Sequence, residues 1–247
     1  MKLHIKYALL IVCMVTVIFA CKKDDKNDTT PAPGPDKPDT PVVVTPKDSI
    51  VNAYVTIRVN GSVEVSSIPV PANRGVNDYA LFSFDKMKFL ENGNDSLKTS
   101  SWDLAFSNSS GIDLVVNWGG TGPDFWDVMD PFGGVPGDVM AVSLADTSFD
   151  AVAAVPAGAE FSHPYQITTA FPVSNTETGL LDHMEFLKTV FIFQLKDGRY
   201  VKFQYVSFYK GAPEKPTAQN DKNDRGYWTF KYYISKAGSK DLATVKK

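Results

Sequence analysis

Hydrophobic positions along this chain alternate far more often than they recur at helical spacing. The clearest stretch runs from Lys188 to Tyr209 (KTVFIFQLKDGRYVKFQYVSFY), where two runs rich in β-branched and aromatic residues flank Asp197-Gly198. That arrangement is a strong hairpin signal. A two-residue loop at Asp197-Gly198 pairs Phe193 with Lys202 and Phe191 with Gln204. A three-residue loop, Lys196-Asp197-Gly198 with Gly198 left-handed, pairs Phe193 with Val201 and Phe191 with Phe203. The second register is preferred because it gathers Phe191, Phe193, Leu195, Val201, Phe203 and Tyr205 on one face. Val190, Ile192 and Tyr200 fall on the other face, which predicts a hairpin covered on both sides.

The same alternation marks further strands. Asn52–Asn60 sets Ala53, Val55, Ile57 and Val59 against Tyr54, Thr56 and Arg58, and Asn60-Gly61 turns the chain into a second strand, Ser62–Val70. Tyr79–Phe84, Ser101–Ser107, Ile112–Trp118, Val139–Leu144 and Gly226–Ser235 follow, with Trp102, Leu104 and Phe106 expected on one face. A weaker strand signal covers Tyr165–Ala170. Asp146–Val155 reads as a short helix, capped by Asp146 or Thr147 and stopped by Pro156, and Leu180–Lys188 as a helical turn feeding the hairpin. Gly211–Arg225 reads as a polar loop. The fold class is mainly β: an antiparallel β-rich domain over residues 49–236 with one or two short helices, then a frayed tail over 237–247.

Composition adds the compartment. Lys2 and Lys6 precede an apolar run, Tyr7–Ala20, too short for a membrane span but suited to a signal peptide. The run ends in Ile18-Phe19-Ala20-Cys21, which resembles a bacterial lipobox. With Cys13 inside the leader, Cys21 is the sole cysteine of the mature chain and the expected lipidation site. Lys22-Lys23-Asp24-Asp25 is similar to the surface-export signal of Bacteroidetes-type lipoproteins, which places the domain on the outer membrane, exposed at the cell surface. Residues 21–48 are polar and proline-rich, a disordered stalk with a reach of up to about 80 Å. A formal net charge of −3 without a basic patch makes nucleic acid a poor candidate partner, and none is expected.

Gly119–Asp138 (GGTGPDFWDVMDPFGGVPGD) holds six glycines and three prolines, a density that no helix or central strand tolerates. A loop of this length is usually functional or disordered. Trp118, Phe125, Trp126 and Phe132 make it a candidate surface for an apolar planar ligand, a sugar ring or a partner protein. Asp124, Asp127 and Asp130 recur at every third residue, unlike the every-second-residue oxygens of an EF-hand. No nucleophile elbow, zinc-protease motif, P-loop or dinucleotide fingerprint is present. The expectation is a binding protein, not an enzyme.

Several segments stand in order along the chain: Leu81-Phe82-Ser83-Phe84, Ser101-Trp102-Asp103-Leu104-Ala105-Phe106, Asn117 with Gly119-Gly120, Val155-Pro156, Val190-Phe191-Ile192-Phe193, Asp197-Gly198 with Lys202-Phe203-Gln204, and Thr229-Phe230-Lys231-Tyr232. Together they resemble the HmuY family of surface haem-binding lipoproteins. The resemblance implies a mostly β fold and haem held between loops by two axial ligands, histidine or methionine, before the central hairpin. It also implies haem acquisition, with transfer to a TonB-dependent outer-membrane receptor. His183 and Met184 fall in that interval; adjacent residues do not easily reach opposite haem faces, so His163 or Met129 is the expected partner. The competing reading makes His163 a loop histidine, His183 a surface one and Met184 a core residue, in a surface binding or adhesion module that does not take haem.

Overall fold

The computed structural model describes residues 47–69, 79–91, 99–107, 113–117, 139–162 and 167–244. These fall in one compact unit, Thr45–Lys247. The leader, Cys21, most of the stalk, the Gly119–Asp138 loop with Trp118, and His163 lie outside the described residues.

Fourteen strands are described: β1 (Ser49–Ile50), β2 (Val55–Ile57), β3 (Val63–Pro69), β4 (Tyr79–Ser83), β5 (Lys88–Phe89), β6 (Leu104–Ser107), β7 (Asp113–Val116), β8 (Met140–Ala145), β9 (Ile167–Thr168), β10 (Ala170–Ser174), β11 (Leu181–Phe186), β12 (Thr189–Gln194), β13 (Tyr200–Tyr209) and β14 (Arg225–Ile234). One short helix, α1 (Ala218–Asn223), precedes β14. The strands form a seven-stranded sheet (β1-β2-β3-β14-β13-β12-β8), a five-stranded sheet (β5-β4-β6-β7-β9) and a two-stranded ribbon (β10-β11). All pairings are antiparallel. Among the described residues no helix is long and apolar enough to cross a membrane.

The β12–β13 hairpin takes the three-residue-loop register. Phe191 faces Phe203, Phe193 faces Val201, and Gly198 sits at φ +80°, where any side chain is strained. Its aromatic face enters a core shared by the two larger sheets. Edge-to-face contacts such as Phe82 with Phe230 at 5.1 Å, and the tilted pair Phe106 and Trp228 at 5.1 Å, stitch the layers. The opposite face is covered too: Val190 and Ile192 pack with Phe149, Val152, Val155 and Leu242. There Lys202 is wholly buried, its Nζ donating to Val152 O at 2.9 Å and standing 4.3 Å from the Phe149 ring centroid.

Five expectations change. Trp102 does not share a face with Leu104 and Phe106; it precedes β6 and packs with Leu81, Leu90, Ala105 and Val115 on the outer face of the smaller sheet. Asp146–Val155 is only a 3₁₀ turn, Phe149–Ala151, and Ser148 rather than Asp146 or Thr147 stands at its N-cap. Leu180–Lys188 is strand β11 instead of a helical turn, because β10 supplies a ladder along its length. Gly211–Arg225 contains α1, begun at Thr217, whose backbone N–H donates to Asn220 Oδ1 at 3.1 Å. The C-terminal segment is not frayed as far as Leu242, which is fully buried and donates its N–H to Ala153 O at 2.8 Å.

Candidate functional site

The β10–β11 ribbon carries the site, and a bulge shapes it. Val173 pairs with His183 while Ser174 pairs with Leu181, so Asp182 is the extra residue opposite no partner. Bulges re-aim side chains and recur beside functional sites. Here Asp182 Oδ2 comes to 2.7 Å from His183 Nδ1. His183 Nε2 stands 3.6 Å from Glu185 Oε1, beyond hydrogen-bond range. The His183 side chain is only 13% exposed, so its orientation is held by packing and by the carboxylate.

A strand sends successive side chains to opposite faces. His183 therefore shares a face with its cross-strand partner Val173 and with the Phe171–Glu185 pair. Phe171 is 44% exposed. Leu180 and Leu181 at the ribbon's tip are exposed as well. Met184 turns the other way, into a small core with Ala170, Tyr209 and Phe186. Its backbone N–H donates to Tyr209 Oη at 2.9 Å. Tyr209 Oη in turn donates to Asp221 Oδ1 at 2.8 Å, and Arg225 Nε donates to the same oxygen at 2.9 Å. Burial pushes the Tyr209 hydroxyl up to about 12, so it stays a proton donor. The chain α1–Tyr209–β11 fixes the ribbon to the large sheet.

Of the sequence candidates, His183 and Met184 are thus neighbours on opposed faces. His163, Met129, Trp118, Phe125, Trp126, Phe132 and Cys21 lie outside the described residues. The donor set could supply one iron ligand: in the tautomer with the proton on Nδ1, held by Asp182, Nε2 would carry the lone pair, with Glu185 Oε1 3.6 Å away as the neighbour a metal would have to displace. Met184 sulfur, buried on the far face, does not suit the same group. Sequence reasoning missed Asp182, Val173 and Phe171; the adjacent Asp-His pair was the available signal, but it becomes a pair of touching side chains only through the bulge.

A second corner draws the shared motifs together. Asp103 accepts the Phe84 N–H at 2.8 Å, and Asn117 Nδ2 donates to Trp102 O at 2.9 Å. Arg199, beside the hairpin turn, makes a fork to Asp85 at 2.6 and 2.9 Å. Asp103, Trp102, Asp85 and Arg199 border a cavity of about 270 Å³. Burial raises the Asp103 carboxyl to about 6.

The fold and site define a mainly β, antiparallel protein whose candidate ligand position is a carboxylate-oriented histidine on an exposed ribbon. Among solved structures, the chain is similar to an apo HmuY analog from Tannerella forsythia, at 16% identity over 71% of this chain and 95% of that one, with a TM-score of 0.36. A proposed HmuY-like haem-binding protein from Bacteroides vulgatus aligns at 16% identity over 70% and 90%, TM-score 0.32. A proposed lipoprotein from Bacteroides fragilis aligns at 14% identity over 70% and 87%, TM-score 0.34. No family model matches the chain, and no curated protein does.

Proposed function

We propose that the protein is a surface-anchored lipoprotein that binds haem for iron acquisition, tethered through Cys21 and delivering haem to a TonB-dependent outer-membrane receptor. The observation that carries the reading is the posture of His183. Its Nδ1 is engaged by Asp182 at 2.7 Å, its Nε2 makes no hydrogen bond and has only Glu185 Oε1 at 3.6 Å, and apolar Val173 and exposed Phe171 share its face with Glu185. That is an imidazole set for axial ligation beside a surface able to carry a porphyrin. His163 or Met129 supplies the second axial ligand in this reading, with Trp118, Phe125, Trp126 and Phe132 available to the porphyrin plane. The ordered motif resemblance between Tyr79 and Ile234 supports the same ligand class.

Haemin titration into the purified protein tests it. Saturable one-to-one binding with a Soret shift is expected, lost or shifted in His183→Ala and retained by folded Met184→Ala. An unchanged Soret band in both variants removes these two residues as ligands. Weak, nonspecific absorbance alone returns the protein to a surface binding or adhesion module of the same fold. Asp182→Asn should keep the fold and weaken ferric haem binding by about 10–100-fold, the usual effect of losing a carboxylate behind a ligating histidine.

A further inference from the structure

The two larger sheets leave two edges facing one groove. β8 ends the seven-stranded sheet and β9 ends the five-stranded one, and a groove of about 410 Å³ is lined by residues of both. In an antiparallel ladder, residues alternate between bonding inward and outward. Ala141 exchanges both of its backbone bonds with Ser162, at 2.8 and 3.1 Å, so Ala141 points outward from the sheet. By the same alternation along β8, Ser143 and Ala145 also direct their backbone groups outward. Among the described residues, the N–H and C=O of Ser143 and the N–H of Ala145 meet no partner; Ala145 O accepts from Thr147 Oγ1 at 2.9 Å.

The side chains suit an incoming strand. Ala141, Ser143 and Ala145 are small, so a strand laid along this edge has room over the core face for its own side chains. Ser143 and Ala145 are exposed, although their β12 partner positions Phe191 and Thr189 are buried. The core face of the sheet is thus uncovered at this edge. Glu160 is the one charged side chain among the described groove-lining residues, and it is exposed.

We propose that this groove is a strand-addition site for an extended segment of a partner protein. The segment's backbone pairs with Ser143 and Ala145, and one of its lysines or arginines meets Glu160. An open edge with unpaired backbone groups recognises another extended backbone more than any other ligand. This inference does not rest on haem binding.

The probe is a capped peptide alternating valine and threonine around a central lysine, titrated into the full protein without haem. Expected are saturable binding by calorimetry and slowed hydrogen exchange at the Ser143 and Ala145 amides. N-methylation at alternate peptide bonds should weaken binding by about tenfold or more in one register and little in the other. Glu160→Gln should weaken it several-fold. Ser143→Pro, which removes an outward N–H and spares the β12 ladder, should abolish it while the circular dichroism and melting curve stay close to wild type. Absence of saturable binding at millimolar peptide overturns the proposal, as does equal binding by both N-methylated registers. Protection of Ser143 that rises with protein concentration in the absence of peptide overturns it in favour of a second copy of this chain.

Discussion

Asp103 shows how a single residue carries a pH signature. Its carboxyl is raised from 3.8 to about 6, chiefly by burial, and the Phe84 N–H only partly offsets that. The folded value lies above the unfolded one, so the native state holds this proton more tightly. The charged form therefore costs stability above about pH 6, and the cost fades as the pH falls from about 6 towards 4. Asp103→Asn keeps an acceptor for Phe84 and removes the charge. It should stabilise the protein by about 1–2 kcal/mol at pH 8 and leave it nearly unchanged at pH 4, which chemical denaturation at the two pH values measures. Loss of stability at pH 8 would mean that the charge itself holds the corner. Asp103, Asn117 and the Asp197-Gly198 turn all belong to sequence motifs that resemble those of the HmuY family, and they meet at a corner that fastens strands together. Those motifs made the fold legible in the sequence. The candidate site was less so, because His183 and Asp182 sit outside them and meet through a bulge that no local pattern announces.

Elements differ in how much of their structure is local. The β12–β13 hairpin is written in its own residues: aromatic alternation chooses the register, and Gly198 closes the turn at φ +80°. A Cβ there would approach no described atom closer than 4.0 Å, so Gly198→Ala pays only for the backbone conformation, about 1 kcal/mol by thermal or denaturant unfolding. β11 is the opposite case. Leu180, Met184 and Leu187 recur at helical spacing, yet the segment is a strand because its bonding partners are distant: β10 along one edge and Tyr209 Oη at the Met184 N–H. Tertiary pairing overrides local period here. Tyr209→Phe removes an acceptor for Met184 and a donor for Asp221. The expected cost is about 1–2 kcal/mol, with faster amide exchange at Met184. If exchange there is unchanged, the ribbon is held by β10 alone.

At the scale of the whole molecule, the large sheet needs cover on the face turned away from the main core. Val190 and Ile192 are fully buried there, and their cover comes from the 3₁₀ turn at Phe149–Ala151 and from Leu242. The C-terminal segment reaches that position by pairing: Val155 N–H donates to Lys240 O at 2.9 Å, and Leu242 N–H to Ala153 O at 2.8 Å. On the same face burial lowers the Lys202 amine to about 8, and the charge of Asp241 in the C-terminal segment partly opposes that. From sequence the segment looks frayed because it is short and lysine-rich, with one apolar anchor, and a single Leu has no period to read. Its burial is a property of the assembled sheet. Leu242→Ala should cost about 2–4 kcal/mol, the usual loss for a buried leucine without full collapse around it. The denaturant midpoint should fall with little change in m value. Deleting residues 237–247 should cost more, since it also strips the two backbone bonds and opens the face over Ile192. A truly frayed tail would tolerate both changes within about 0.5 kcal/mol, and that result would mean Val190 and Ile192 are covered adequately by the 3₁₀ turn alone.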